Sequence, residues 1–176
     1  LGDVYKRQFP TLPATVKTID FIESDCEDCF KIWGISLNGK LPELVLPEEV
    51  KQKTNAVEIL PAPQLTMGKA TLSGKLLDYK HNYQLNLNAY LCELLTGNEN
   101  EIPIEIKEDG SFCTAIDLSA PTSLDLVMGR EKISTLFMTP GEDTKIIINL
   151  REISRSQSKL LKQNKPEGDK LYFSGT

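Results

Sequence analysis

From residue 68 onward, apolar residues recur at every second position. Ala70, Leu72, Gly74 and Leu76 share one phase, as do Leu85, Leu87, Ala89 and Leu91, then Ile102, Ile104 and Ile106. The same spacing returns in Phe112, Thr114, Ile116 and Leu118, and again in Ile146, Ile148 and Leu150. A period of two is the repeat of a strand that buries one face. The runs Leu124–Met128 and Ile133–Met138 lie between the last two groups and bring the expected count to seven short strands.

The connections between these runs carry turn chemistry. In Glu108-Asp109-Gly110-Ser111 the Asp-Gly pair stands where a two-residue hairpin needs positive φ, and Thr139-Pro140-Gly141-Glu142 has the Pro-Gly order of a type II turn. Both predict hairpins. The long helical crossovers that parallel strands require are missing from this stretch, so the fold class expected is mainly β. Specifically, an antiparallel, immunoglobulin-like β-sandwich is predicted over 68–151, with a small β-barrel as the alternative.

The flanks differ in texture. Phe9–Leu37 alternates β-branched and aromatic residues on either side of a polar stretch, Ser24–Asp28, which predicts a hairpin over 9–40, the end of a truncated β domain. Pro42, Pro47, Pro61 and Pro63 make 41–67 a proline-rich linker. Beyond the sandwich, 152–176 reads as a polar segment leading into the start of a truncated following segment. After Leu150, Arg151–Gln163 predicts a short exposed helix with Arg155, Lys159 and Lys162 on a solvated face, and Lys170–Thr176 begins an apolar, strand-like run.

Composition narrows the classes of function. The chain has 176 residues, 40% hydrophobic and 26% charged, enough for one ordinary core or for one core and part of a second. A net charge of -5 speaks against a nucleic-acid partner, which needs a concentrated positive field. No apolar run approaches the roughly 20 residues that cross a bilayer.

One motif suggests chemistry. Cys26 and Cys29, in the predicted hairpin tip, are the candidate disulfide or redox pair. A reactive dithiol needs its first sulfur at a helix start, where amide groups and the helix dipole stabilise a thiolate. Here Glu23, Asp25, Glu27 and Asp28 surround the pair with negative charge, which disfavours another anion. The expectation is therefore a structural turn or local disulfide, with no catalytic residue. A zinc site needs four ligands, commonly as two close pairs, and Cys92, Cys113 and His81 do not form a second pair, so neither metal nor cofactor is expected. Cys92 and Cys113 are out of phase with their apolar neighbours, and their pairing stays open. The acid pairs Glu99 and Glu101, Glu108 and Asp109, and Glu142 and Asp143 fall in predicted turns, where carboxylates are solvated. Trp33, Tyr79, Tyr83 and Tyr90 are the aromatic residues a ligand-binding platform would draw on.

The segments FPTLPATVKTIDFIESDCEDCFKIWGISLNGK, GKATLSGKLLDYK, KEDGSF, LFMTPGEDTKIIINL and YFSGT together resemble the region upstream of the catalytic domain in TlpA-like thiol-disulfide oxidoreductases of the Bacteroides group. The likeness runs over Phe9–Thr176. It implies an accessory region whose redox chemistry belongs to a downstream thioredoxin fold with a Trp-Cys-x-x-Cys pattern, which Cys26, lacking a preceding Trp, does not match. It further implies a periplasmic, cell-envelope setting, a parent that is lipid-anchored, and protein clients or that thioredoxin-like domain as partners. A stand-alone envelope module contacting peptide or glycan is the alternative. Leu1–Gln8 is set apart from all of this. DVYKRQ resembles, letter for letter, a translated sequencing-library transposon end, and 1–8 is excluded from fold reasoning as a sequencing artefact.

Overall fold

The computed structural model describes residues 10–22, 31–39, 45–50, 66–83, 85–92, 96–157 and 168–174. The chain forms two compact units, Leu1–Leu44 and Val45–Thr176.

In the first unit, β1 (Thr18–Ile22) pairs antiparallel with β2 (Lys31–Ser36), as the alternation predicts. Ile19 faces Ile35 while Phe21 faces Ile32, so β2 carries one extra residue, a bulge. Gly34 takes φ +66 within it, and its N–H donates to Asp20 Oδ1 at 2.8 Å. The acid thus satisfies a backbone donor at the irregularity of the ladder.

The second unit is the β-sandwich. Its strands are β3 (Gly68–Leu77), β4 (Leu87–Cys92), β5 (Glu99–Ile104), β6 (Ser111–Leu118), β7 (Thr122–Met128), β8 (Glu131–Met138), β9 (Asp143–Asn149) and β10 (Leu171–Phe173). They form two four-stranded sheets, ordered β10-β9-β3-β6 and β5-β4-β7-β8. Neither sheet closes on itself, which sets the barrel aside. Every pairing is antiparallel except that of β3 with β9, which runs parallel from Thr71–Asp143 to Leu77–Asn149.

The core follows the period of two. Ala70, Leu72 and Leu76 of β3, Phe112, Ile116 and Leu118 of β6, and Ile146 and Ile148 of β9 are buried in one sheet. Leu87, Ala89, Leu124, Leu126, Met128, Ile133, Leu136 and Met138 are buried in the other. Gly74 sits in the same inward phase for a steric reason. A Cβ there would overlap the Ile146 carbonyl oxygen and come 2.6 Å from the Phe112 ring.

Both predicted turns form, but neither closes a simple hairpin. Glu142 N–H donates to the Thr139 carbonyl at 3.1 Å and Gly141 takes φ +85, the type II geometry; yet β8 and β9, which it joins, belong to different sheets. At the other site Gly110 takes φ +80 while Asp109 stays at negative φ. Gly110 N–H donates to the Lys107 carbonyl and Lys107 N–H to the Ser111 carbonyl. This is a three-residue loop with a bulge rather than the two-residue turn expected, and past the isolated Ile106–Phe112 bridge the chain parts into two sheets. Turn residues set local backbone angles; burial decides which sheet each strand joins.

The segment after β9 departs further from expectation. A helix α1 (Leu150–Gln157) forms, but it is packed rather than exposed. Ile153 is 0% exposed and Arg155 only 9%. The polar letters mislead because Arg155 Nη1 pairs with Glu152 Oε1 at 3.3 Å, one turn apart, so both charges enter the packed side together. Lys159 and Lys162 lie outside the described residues. The helix starts where Asn149, fully buried, accepts the Glu152 N–H on its Oδ1 at 3.4 Å, an N-cap with glutamate at the capping-box spacing. The apolar run near the end becomes β10, which pairs with β9 and so belongs to the sandwich sheet.

Two substitutions test this packing. Gly74→Ala is expected to cost about 1–3 kcal/mol through overpacking, read as a lowered urea midpoint. Ile153→Ala is expected to cost about 2–5 kcal/mol, where an exposed helix would change stability by no more than roughly 0.5 kcal/mol.

Candidate functional site

The cysteine pair has its flanks defined. Ile22 faces Lys31 as the last pair of the β1–β2 ladder, so Cys26 and Cys29 belong to the connection between two antiparallel strands. Their own placement lies outside the described residues, as does the Trp33 side chain.

The other sequence candidates are dispersed. Cys92 ends β4 and Cys113 stands in β6; both are exposed free thiols on outward-facing positions of different sheets. His81 is exposed in a short 3-10 turn, His81–Tyr83. Tyr83 is buried, and Tyr79 meets it edge to face with centroids 6.3 Å apart, which makes this pair packing rather than a platform. Asp109 does cap a turn: its Oδ1 accepts the Ser111 hydroxyl at 2.7 Å and the Ser111 N–H at 3.0 Å, and these bonds hold its carboxyl below the usual range. Glu99 and Glu101, expected in a turn, lie instead in β5. Among the described residues no group of three or more His, Cys, Asp or Glu is placed to hold a metal ion. No described helix is long and apolar enough to cross a membrane.

What the sheet register does assemble is a polar row on the outer face of β5-β4-β7-β8. Glu101 faces Tyr90, Tyr90 faces Asp125, and Asp125 faces Thr135, one residue from each strand. Glu101 Oε1 accepts from Tyr90 Oη at 3.0 Å and from Asn88 Nδ2 at 2.7 Å. The bond to Glu101, with the carboxylate's charge, pushes the Tyr90 phenol up, because ionising it would forfeit the bond and set two anions together. Asp125 Oδ2 accepts from Lys132 Nζ at 2.6 Å and its Oδ1 from Thr135 Oγ1 at 2.7 Å. These bonds, that from Lys132 first, hold the Asp125 carboxyl below its ordinary range. Phe137, 48% exposed, extends from β8 on the same side as Thr135.

The row escapes sequence reasoning because its members sit 11, 35 and 10 positions apart in the order Glu101–Tyr90, Tyr90–Asp125 and Asp125–Thr135. The alternation places Tyr90 and Asp125 in the outward phase, but only the strand order makes them neighbours. Chemically, the row is a hydrogen-bonding surface whose groups already satisfy one another. It lines one outer face with carboxylates, an amide, a phenol and one aromatic flank.

No protein-family model matches the chain, and no curated protein matches it.

The lowered Asp125 carboxyl has a pH signature. Its stabilising contribution is complete above the unfolded value near 3.9 and is lost as pH falls through the lowered folded value. With Asp125 and Lys132 38% and 55% exposed, screening limits the pair to under about 1 kcal/mol. Asp125→Asn should therefore lower the urea midpoint slightly at pH 7 and lose that deficit in strong acid. A deficit that does not change with pH would contradict the assignment.

Proposed function

We propose that this chain is the non-catalytic accessory region of a TlpA-like, cell-envelope thiol-disulfide oxidoreductase. The redox step belongs to a thioredoxin-like domain elsewhere in the parent protein, which is exported and lipid-anchored. The role of this region is structural support or contact with protein clients and with that domain. The sequence likeness over Phe9–Thr176 is the ground for the family.

The structural observation that supports the reading is the separation of the sandwich's thiols. Cys92 and Cys113 stand on outward positions of different sheets, whereas a disulfide requires Cα atoms about 4.4–6.8 Å apart. The polar row on the outer sheet is likewise closed on itself: Glu101 and Asp125 accept hydrogen bonds from their neighbours, an arrangement suited to a stable contact surface. A stand-alone peptide- or glycan-contacting module is the second reading, and the half-exposed Phe137 beside that row favours it.

Alkylation of the reduced full chain by iodoacetamide across pH, with Cys92→Ser and Cys113→Ser removing background thiols, tests the non-catalytic assignment. Cys26 and Cys29 are expected to react slowly below pH 7 and faster only toward about 8.5, the ordinary thiol value. Fast alkylation below pH 7 would make this chain the catalyst. The coding sequence beyond Thr176 separates the two non-catalytic readings: a Trp-Cys-x-x-Cys thioredoxin fold there supports the accessory role, and a stop codon supports the stand-alone module.

A further inference from the structure

The edge strand β10 is held differently from every other strand of the sandwich. Its ladder to β9 has three pairs, Leu171–Ile148, Tyr172–Ile147 and Phe173–Ile146, whereas β3 grips the opposite edge of β9 with seven. Phe173 is 51% exposed, while Ile146 and Ile148 of β9 are fully buried. Lifting β10 therefore leaves β9 anchored by β3 along its opposite edge.

Polar contacts supply the remaining hold. Asn149 N–H donates to the Lys170 carbonyl and Ser174 N–H to the Lys145 carbonyl, each at 2.9 Å, and Asn149 Nδ2 donates to the Asp169 carbonyl at 3.3 Å. On its other side the segment bears the isolated bridge from Ser174 to Val50. Lys170 Nζ reaches across to the second sheet, where it pairs with Glu131 of β8. Ser156 Oγ of α1 lies 3.0 Å from the same Glu131 oxygen and shares its one proton between it and the Ile153 carbonyl at 2.7 Å. One carboxylate thus gathers the helix and the returning strand onto the sheet that does not contain β10.

We propose that residues 168–174 form a releasable strap, with Glu131 as its catch, that lifts from β9 in a local opening below global unfolding. Short ladders with exposed side chains open at lower free energy than the central strands to which they are added. The opening uncovers the outer edge of β9 from Lys145 to Asn149 without melting the sandwich. Three features favour a local opening: a three-pair ladder, a half-exposed aromatic, and a partly exposed ion pair whose two side chains are 30% and 27% exposed.

Native-state amide hydrogen exchange on the full chain decides it. The strap amides are those of Asn149 and Ser174; the reference amides are Leu76 and Thr71 of β3, bonded to the Gly110 and Glu142 carbonyls. The strap amides are expected to exchange at least roughly tenfold faster than the reference pair in the unaltered protein. Glu131→Gln should accelerate them by a further factor of roughly five, the scale of a partly exposed ion pair, and leave the reference pair unchanged. Lys170→Met, which removes the contact from its other side, should do the same. Equal exchange of strap and reference amides would overturn the strap, since the sandwich would then open only as a whole. Acceleration of both sets alike, or no acceleration of the strap amides in either variant, would overturn Glu131 as the catch.

Discussion

The sandwich depends on how closely three strands approach at Gly74. β3 lies between β6 and β9, and at this point the Phe112 ring from one neighbour and the Ile146 backbone from the other both occupy the space a side chain would need. That approach lets Phe112 fill the core from the sheet edge while β9 runs parallel to β3, a pairing between the first and seventh strands of the unit. Such a contact is distant in sequence, so chain entropy opposes it until the local turns have brought the strands together. Turn chemistry at Gly110 and Gly141 lowers that cost by delivering β6 and β9 to the two sides of β3. Gly110 is itself constrained, because Tyr79 packs where its Cβ would stand.

The elements were legible because burial on one face writes a period of two, and seven strands appear where Ala70, Leu87, Ile104, Phe112, Leu124, Ile133 and Ile146 signal them. Strand order was not legible. Asp109-Gly110 and Pro140-Gly141 fix φ and ψ over a few residues, and the same angles serve a hairpin or a passage from one sheet to the other. The helix start was written in the chain as Asn149 followed by Glu152 at capping-box spacing. Its burial was not, because a mostly polar octapeptide is ordinarily solvated, and the pairing of Glu152 with Arg155 offsets part of the cost of taking both charges out of water.

The same distinction separates visible from hidden chemistry. Cys26 and Cys29 announce themselves by adjacency, and the antiparallel strands on either side agree with a hairpin connection there. The Glu101–Tyr90–Asp125–Thr135 row has no local signature, since its coherence comes entirely from cross-strand register. Sequence reasoning could name its members as outward residues and could not bring them together. Glu99 and Glu101 show the cost of that limit: as neighbours of Gly97 they resemble turn acids, yet the ladder to Cys92 and Tyr90 makes them strand residues on the outer face.

Polar groups in this unit fall into two physical regimes. On the outer sheet, Asp125 with Lys132 and Glu101 with Tyr90 meet in water, where each pair is weak alone but fixes side-chain orientation across four strands. At the end of β9, Asn149 and the Glu152–Arg155 pair are buried, where an unmade bond carries a full desolvation penalty and geometry must be satisfied. Glu131 stands between these regimes, partly exposed and shared by a helix and a strand. A group in that position contributes enough to hold a short edge strand and too little to make it cooperative with the core. The detachable edge is therefore held by a short ladder with an electrostatic catch at Glu131, whereas the close approach of the central strands is set by shape at Gly74.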